Sequence, residues 1–305
     1  MEEGFKRTDS DQPILPPAHG SGEAGKGNER MKSLIKRMLS ACDPAWLEAG
    51  RSLHNRWVFG RRYAPLQRRV REMVYPTGDI RVLDGPFQRM RYLDGVVWGS
   101  ITPKWLGSYE CELHGVVAEV IGRAPPTIVD VGCAEGFYAV GLAMRLPETT
   151  VQAWDCDFLS RRQTRRLARL NGVEGRVKVG GWCRHEDLER LAGQRVVLIC
   201  DIEGGERELL DPVACPALRG MDVLVEIHEG RWPVRTADLL IERFEVSHGI
   251  QRIPGRLRSG WIRDRGALTG RFPGLAEEWW VEATEEGRGG LQEWFWMKPR
   301  QGRER

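Results

Sequence analysis

The sequence has no apolar run approaching the roughly 20 residues that a membrane-spanning helix needs. Its opening, Met-Glu-Glu-Gly-Phe-Lys, lacks the charged-then-apolar order of a secretory leader. The seven cysteines form no Cys-x-x-Cys pair and no Cys/His group at zinc spacing, which argues against a zinc module. Cys133, Cys156 and Cys200 are expected inside core strands, as small, buried, reduced hydrophobes. Charge of one sign is also missing, the net value being only +3 over 305 residues. A cytoplasmic protein with no membrane partner is the expectation, and the length admits one large α/β domain with a smaller element.

One segment stands out. Residues 127–143 read Thr-Ile-Val-Asp-Val-Gly-Cys-Ala-Glu-Gly-Phe-Tyr-Ala-Val-Gly-Leu-Ala. A β-branched run ends in Asp130, a Gly132-x-x-x-Gly136 turn follows, and an apolar helix begins. Strand, glycine turn and helix N-terminus are the local means by which α/β proteins hold nucleotide-like ligands. The pyrophosphate fingerprint G-x-G-x-x-G is absent, because Val131 and Cys133 flank a single glycine.

Two further strand-like runs end in acids. Thr150–Asp155 ends in Asp155, 25 positions after Asp130, and Arg195–Asp201 ends in Asp201. In a parallel sheet of strand–helix units all three carboxylates lie on the carboxyl rim, where ligands bind. Asp155 is placed to accept from both hydroxyls of a ribose. The plainer alternative makes it a cap of the next helix, a role that Asp157 or Ser160 could also fill.

The pattern Asp130-x-Gly132-x-x-x-Gly136 resembles the first motif of class I S-adenosylmethionine-dependent methyltransferases. Asp201-Ile-Glu-Gly-Gly-Glu206, then Leu209-Leu210, then Val223-Leu-Val-Glu-Ile-His228, is similar to the FkbM-type branch of that family. The resemblance covers residues 105–300. It implies a Rossmann-like, seven-stranded class I sheet, S-adenosylmethionine as methyl donor and an oxygen acceptor on a small molecule or sugar. It also implies that Gly132, Cys133, Glu135 and Gly136 hold the methionyl end of the donor, with Tyr109 and Glu110 closing over it and Asp155 and Asp201 taking part. Two places depart from the family: Ile199 stands where a lysine is common, and Gly180-Gly181-Trp182-Cys183 offers no acid for adenine. Adenine recognition then falls to backbone groups and stacking on Trp182, for which partial burial is the equal alternative.

Residues 1–30, rich in Gly, Pro, Ser and charge, are expected to be a disordered tail. A helical N-terminal cap with a small hairpin is expected over 31–104. It begins with an amphipathic helix through Met31, Leu34, Ile35, Met38 and Leu39, and its hairpin pairs Ile80–Leu83 with Met90–Leu93. Further helices are expected around Leu113–Ile121, Arg161–Leu170 and Thr236–Phe244, and late strands near Glu245–Ile253 and Gln292–Lys298. The five arginines of the second helix, at 161, 162, 165, 166 and 169, suggest a solvated face. The insert 254–290 is long for a bare connection and is expected over the acceptor site. Among twelve tryptophans, Trp294 and Trp296 alternate as strand packing residues do, while Trp279 and Trp280 suit either packing or an aromatic pocket.

Methylating a hydroxyl requires close alignment and removal of a proton. His228, Asp201, Glu203 and Glu226 are on the correct rim, and His228 titrates nearest neutrality. His228, Asp201 and Glu203 are the expected catalytic residues, with no metal ion required by their spacing. A nucleic-acid (RNA) methyltransferase is the alternative function. It would use residues 31–72, where ten Lys/Arg face three Asp/Glu, a local +7. Against it, Asp201-Ile-Glu-Gly is not the Asn/Asp-Pro-Pro-aromatic signature of base methylation. A non-catalytic donor-binding protein is the third reading.

Overall fold

The computed structural model describes residues 44–95, 98–288, 290 and 292–300. The tail expected over 1–30 and the amphipathic helix expected from Met31 lie outside the described residues. Residues 48–305 form one compact unit, and of the unit Met1–Leu47 only the last four residues are described, at the start of a helix.

That helix, α1, runs Pro44–Val74; α2, Thr102–Leu106, and α3, His114–Arg123, lead to the sheet. Strand–helix units follow in order: β1 Thr127–Val131, α4 Phe137–Arg145, β2 Thr150–Trp154, α5 Phe158–Leu170, β3 Val177–Gly180, α6 His185–Glu189, β4 Val196–Cys200, α7 Glu206–Leu209, β5 Asp222–Glu226, α8 Thr236–Phe244 and β6 His248–Pro254. Three short helices, α9 Arg258–Arg263, α10 Gly266–Thr269 and α11 Glu277–Thr284, precede β7 Glu293–Pro299.

The sheet order is β3-β2-β1-β4-β5-β7-β6. Strands β1 to β5 are parallel, and β7 pairs antiparallel with both β5 and β6. This is the seven-stranded, Rossmann-like sheet expected, with its late antiparallel strand inserted between β5 and β6. The chain turns back at β1 and β4, so the carboxyl ends of these two strands form the crevice where such sheets bind ligands.

Period-two alternation builds the two cores. Ile128, Ile199, Trp294 and Trp296 face one helical layer, and Val129, Leu198, Phe295 and Met297 face the other. Trp294 and Trp296 are essentially fully buried, as packing requires. Trp279 and Trp280 are buried in the first layer with Trp261, which assigns them to packing.

Several expectations are corrected. The hairpin at 80–93 shrinks to one bridge, Arg81 to Arg91, held by Val82 N–H to Met90 O and Tyr92 N–H to Ile80 O, each at 2.8 Å. Four-residue strands with no third partner cannot extend far. Cys156 is exposed, since it lies past the end of β2, and Cys133 is buried in the turn after β1, outside any strand. The strand expected from Glu245 begins at His248, after α8 ends in a turn. Arg162, Arg165, Arg166 and Arg169 form the exposed face expected, while Arg161 is half-buried and donates to the carbonyls of Asp155 and Cys156 at 2.7 and 2.6 Å. Insert 254–290 carries the three short helices α9, α10 and α11, joined by turns.

Candidate active site

The turn after β1 is tied to its neighbours by backbone bonds. Gly132 and Cys133 N–H donate to Trp154 O at 2.8 and 3.1 Å, and Gly136 N–H to Cys133 O at 2.7 Å. Gly132 has φ +83°, and a Cβ there would lie 1.7 Å from Asp201 O. The glycine therefore lets the β1 and β4 ends meet, a contact that any side chain would block. Gly136, φ +93°, abuts Thr164 of α5 in the same way.

Three rim acids carry raised pKa values. Asp130 accepts from Ala139 N–H at 3.0 Å and is pushed up to about 7, by burial first and by the charges of Asp201, Asp155 and Glu110 besides. Asp155 rises to about 7, again by burial; its Oδ2 accepts from Ala134 N–H and its Oδ1 from Asp157 N–H, each at 2.8 Å. Asp201 rises to about 6 through burial and the Glu110 charge. Asp155 thus braces the glycine turn, and Asp157 is the cap of α5, accepting from Leu159 N–H at 2.7 Å.

The remaining donor-site candidates divide. Tyr109 lines a cavity beside the β1 turn, and Glu110, with φ +45°, is buried next to it and accepts from Tyr138 Oη. Cys133 Sγ lies 3.6 Å from Thr164 Oγ1. Glu135 is fully buried and ion-paired with Lys104 at one oxygen; its Oε2 has no hydrogen-bond partner. Trp182 is 64% exposed and lines a cavity of about 480 Å³ with Trp154, Arg184, Asp187 and Arg190. A second cavity, about 40 Å³, is lined by Lys104, Tyr109, Asp130, Gly132, Tyr138 and Asp201, among others.

His228 lies just past β5. Its Nδ1 is 2.9 Å from Glu206 Oε1, so Nδ1 carries the proton shared with that carboxylate and Nε2 faces outward. Nε2 is 3.7 Å from Asp201 Oδ1 and 3.5 Å from Glu203 Oε2. Burial lowers the His228 pKa, but Glu206, Asp201 and Glu203 together outweigh it and raise the value above its ordinary 6.5. The structure thus brings together all three expected catalytic residues. Their three ligating atoms lie within 4.8 Å of one another, as do those of Glu110, Asp201 and Glu226.

The orienting role of Glu206, the insert's Arg288 and the Lys104 pair carried no sequence signal beyond residue type. Arg288 donates to Glu226 and Glu110, lies 3.3 Å from Tyr109 Oη, and pairs with Glu286 at 2.9 Å. Trp232, also unforeseen, lies against Gly204 and Gly230 and joins the loops after β4 and β5.

No family model matches the chain, and no curated protein does. Among solved structures, an O-methyltransferase from Bacillus cereus in complex with SAH is similar at 10% identity over 60% of this chain and 78% of that one, with a TM-score of 0.40. TomG from Streptomyces achromogenes, an O-methyltransferase involved in tomaymycin synthesis, is 12% identical over 60% and 77%, at 0.41. A putative O-methyltransferase from Klebsiella pneumoniae is 11% identical over 81% and 99%, at 0.40. Likenesses of this size carry no weight for activity. Among the described residues no helix is long and apolar enough to cross a membrane.

Proposed function

We propose that the chain is an S-adenosylmethionine-dependent methyltransferase, similar to the FkbM type, acting on a hydroxyl of a small molecule or sugar. The observation that carries this reading is the group of buried carboxylates at the sheet's switch point. Burial raises the pKa of Asp130, Asp155 and Asp201, the charges of Asp201 and Asp155 add to the rise at Asp130, and a ligand's positive charge would relieve that repulsion. A sulfonium with an ammonium group suits that field, whereas a pyrophosphate would add to it.

The residues fit the donor. Gly132 and Gly136 give a turn free of side chains, and each Asp155 oxygen keeps a lone pair beyond its amide bond for a ribose hydroxyl. Trp182, exposed beside the larger cavity, offers a face to adenine. When bound, S-adenosylmethionine supplies a methyl group activated for in-line displacement. The chain's own part is to hold the acceptor and take its proton: His228 receives it at Nε2, and Glu206 stabilises the imidazolium through Nδ1. Asp201 and Glu203 accept hydrogen bonds from the acceptor and share the charge. Segment 254–290, whose Arg288 reaches Glu226, covers the acceptor's side.

Calorimetric titration tests the reading. Saturable binding of S-adenosylhomocysteine with no uptake of NADH is expected. NADH binding without S-adenosylhomocysteine binding would overturn it.

A further inference from the structure

The smaller rim cavity is unevenly charged. Asp130 and Asp201 line one part of it, and Lys104 is the one cation among its described lining residues. Lys104 comes from α2, outside every motif of the sheet, and is only 4% exposed. Its ammonium group pairs with Glu135 Oε1 and stands 4.5 Å from the centre of the Tyr109 ring. A lysine ammonium has three donor hydrogens, and one carboxylate oxygen with one ring face leaves it donor capacity to spare.

The nearby Arg288 is in a different position. All three of its guanidinium nitrogens already meet acids: Nη1 with Glu226, Nη2 with Glu110 and Nε with Glu286. It has no free fork for a ligand anion. Size sorts the two ends of a nucleoside amino acid as well, since about 40 Å³ admits a small polar head and about 480 Å³ beside Trp154 and Trp182 admits a purine.

We infer that Lys104 is the anchor for the α-carboxylate of the donor's amino-acid end, with the rim acids receiving its ammonium. The inference rests on the function proposed above and adds a residue that selects a zwitterion over a plain nucleoside. Burying a carboxylate among Asp130, Asp201 and Glu110 without a cation would be strongly unfavourable, so the lysine decides whether that end can enter. Charge-assisted hydrogen bonds of this kind are worth about ten- to hundredfold in affinity.

The test compares S-adenosylhomocysteine, its carboxamide and 5′-methylthioadenosine by calorimetry. The unaltered protein is expected to bind S-adenosylhomocysteine at least about tenfold more tightly than either analogue. Lys104→Met leaves Glu135 buried and unpaired, so the double variant Lys104→Met/Glu135→Gln, which removes the pair together, is read against Glu135→Gln alone, which keeps the lysine and must keep the preference if Lys104 carries it. In the double variant, S-adenosylhomocysteine should fall to the level of the analogues while methylthioadenosine affinity holds within about twofold. Retention of the tenfold preference by the double variant, or its absence from the unaltered protein, would overturn the role of Lys104. Failure of all three nucleosides to bind would instead remove the function on which it rests.

Discussion

Glu206 is fully buried, and its Oε1 serves both the Ile202 amide at 2.9 Å and His228 Nδ1 at 2.9 Å. One carboxylate therefore sets the loop after β4 and the tautomer of the histidine beyond β5. The sign of the resulting pH dependence follows directly. A histidine whose folded pKa is raised adds stability that is fully present below its ordinary 6.5 and lost as the pH climbs through the folded value. The neutral form that accepts a proton is populated only above that value, so turnover should rise with pH on this limb. Proton NMR of His228 is expected to show a midpoint above 6.5, and Glu206→Gln to bring it down; a midpoint indifferent to the substitution would refute the pairing. The histidine was visible in the sequence because it ends the run Val223–His228. Glu206 was visible too, as the last residue of Asp201-Ile-Glu-Gly-Gly-Glu206, but only the fold turns it inward onto the histidine.

At the scale of elements, the turn between β1 and α4 is where two strands of the sheet touch through one glycine. Gly132→Ala forces a Cβ to within 1.7 Å of Asp201 O in a left-handed conformation, and backbone must move to admit it. A loss of about 2–5 kcal/mol in urea unfolding is expected. Gly181→Ala, with nothing within 4 Å of the added atom, should stay within about 0.5 kcal/mol. Equal effects of the two substitutions would contradict the crowding. The strands and helices of this region were legible because apolar period and glycine punctuation act locally. The hairpin near Asp84 was over-read, since its two runs have alternation enough for strands but no third strand to pair with.

Across the whole molecule, the insert before β7 is joined to the sheet and to the segment before α3 by one arginine. Arg288 pairs with Glu226 at the end of β5, with Glu110 and with Glu286, and its guanidinium is mostly shielded. Arg288→Met strands Glu110 and Glu226, both nearly inaccessible, while Glu286 keeps Arg258, and should cost about 3–5 kcal/mol, read as a fall in melting temperature. Burial and the Asp201 charge push the Glu226 carboxyl up to about 11 even with Arg288 beside it, so loss of the arginine should raise it further. No fall in melting temperature would show that these pairs do not hold the insert. Glu110 lies 178 positions from Arg288 and Glu226 lies 62, separations at which no local pattern announces a contact.

The order of strands and helices, the single-glycine turn and the acids ending three strands were determined by the sequence alone, because hydrophobic period and backbone freedom are properties of neighbours along the chain. The tertiary structure alone decided which acids share a field, which cation has hydrogens left to give, and which carboxylate stands behind the histidine. Desolvation and Coulomb energy depend on distance through space, and a linear order of residues does not contain it.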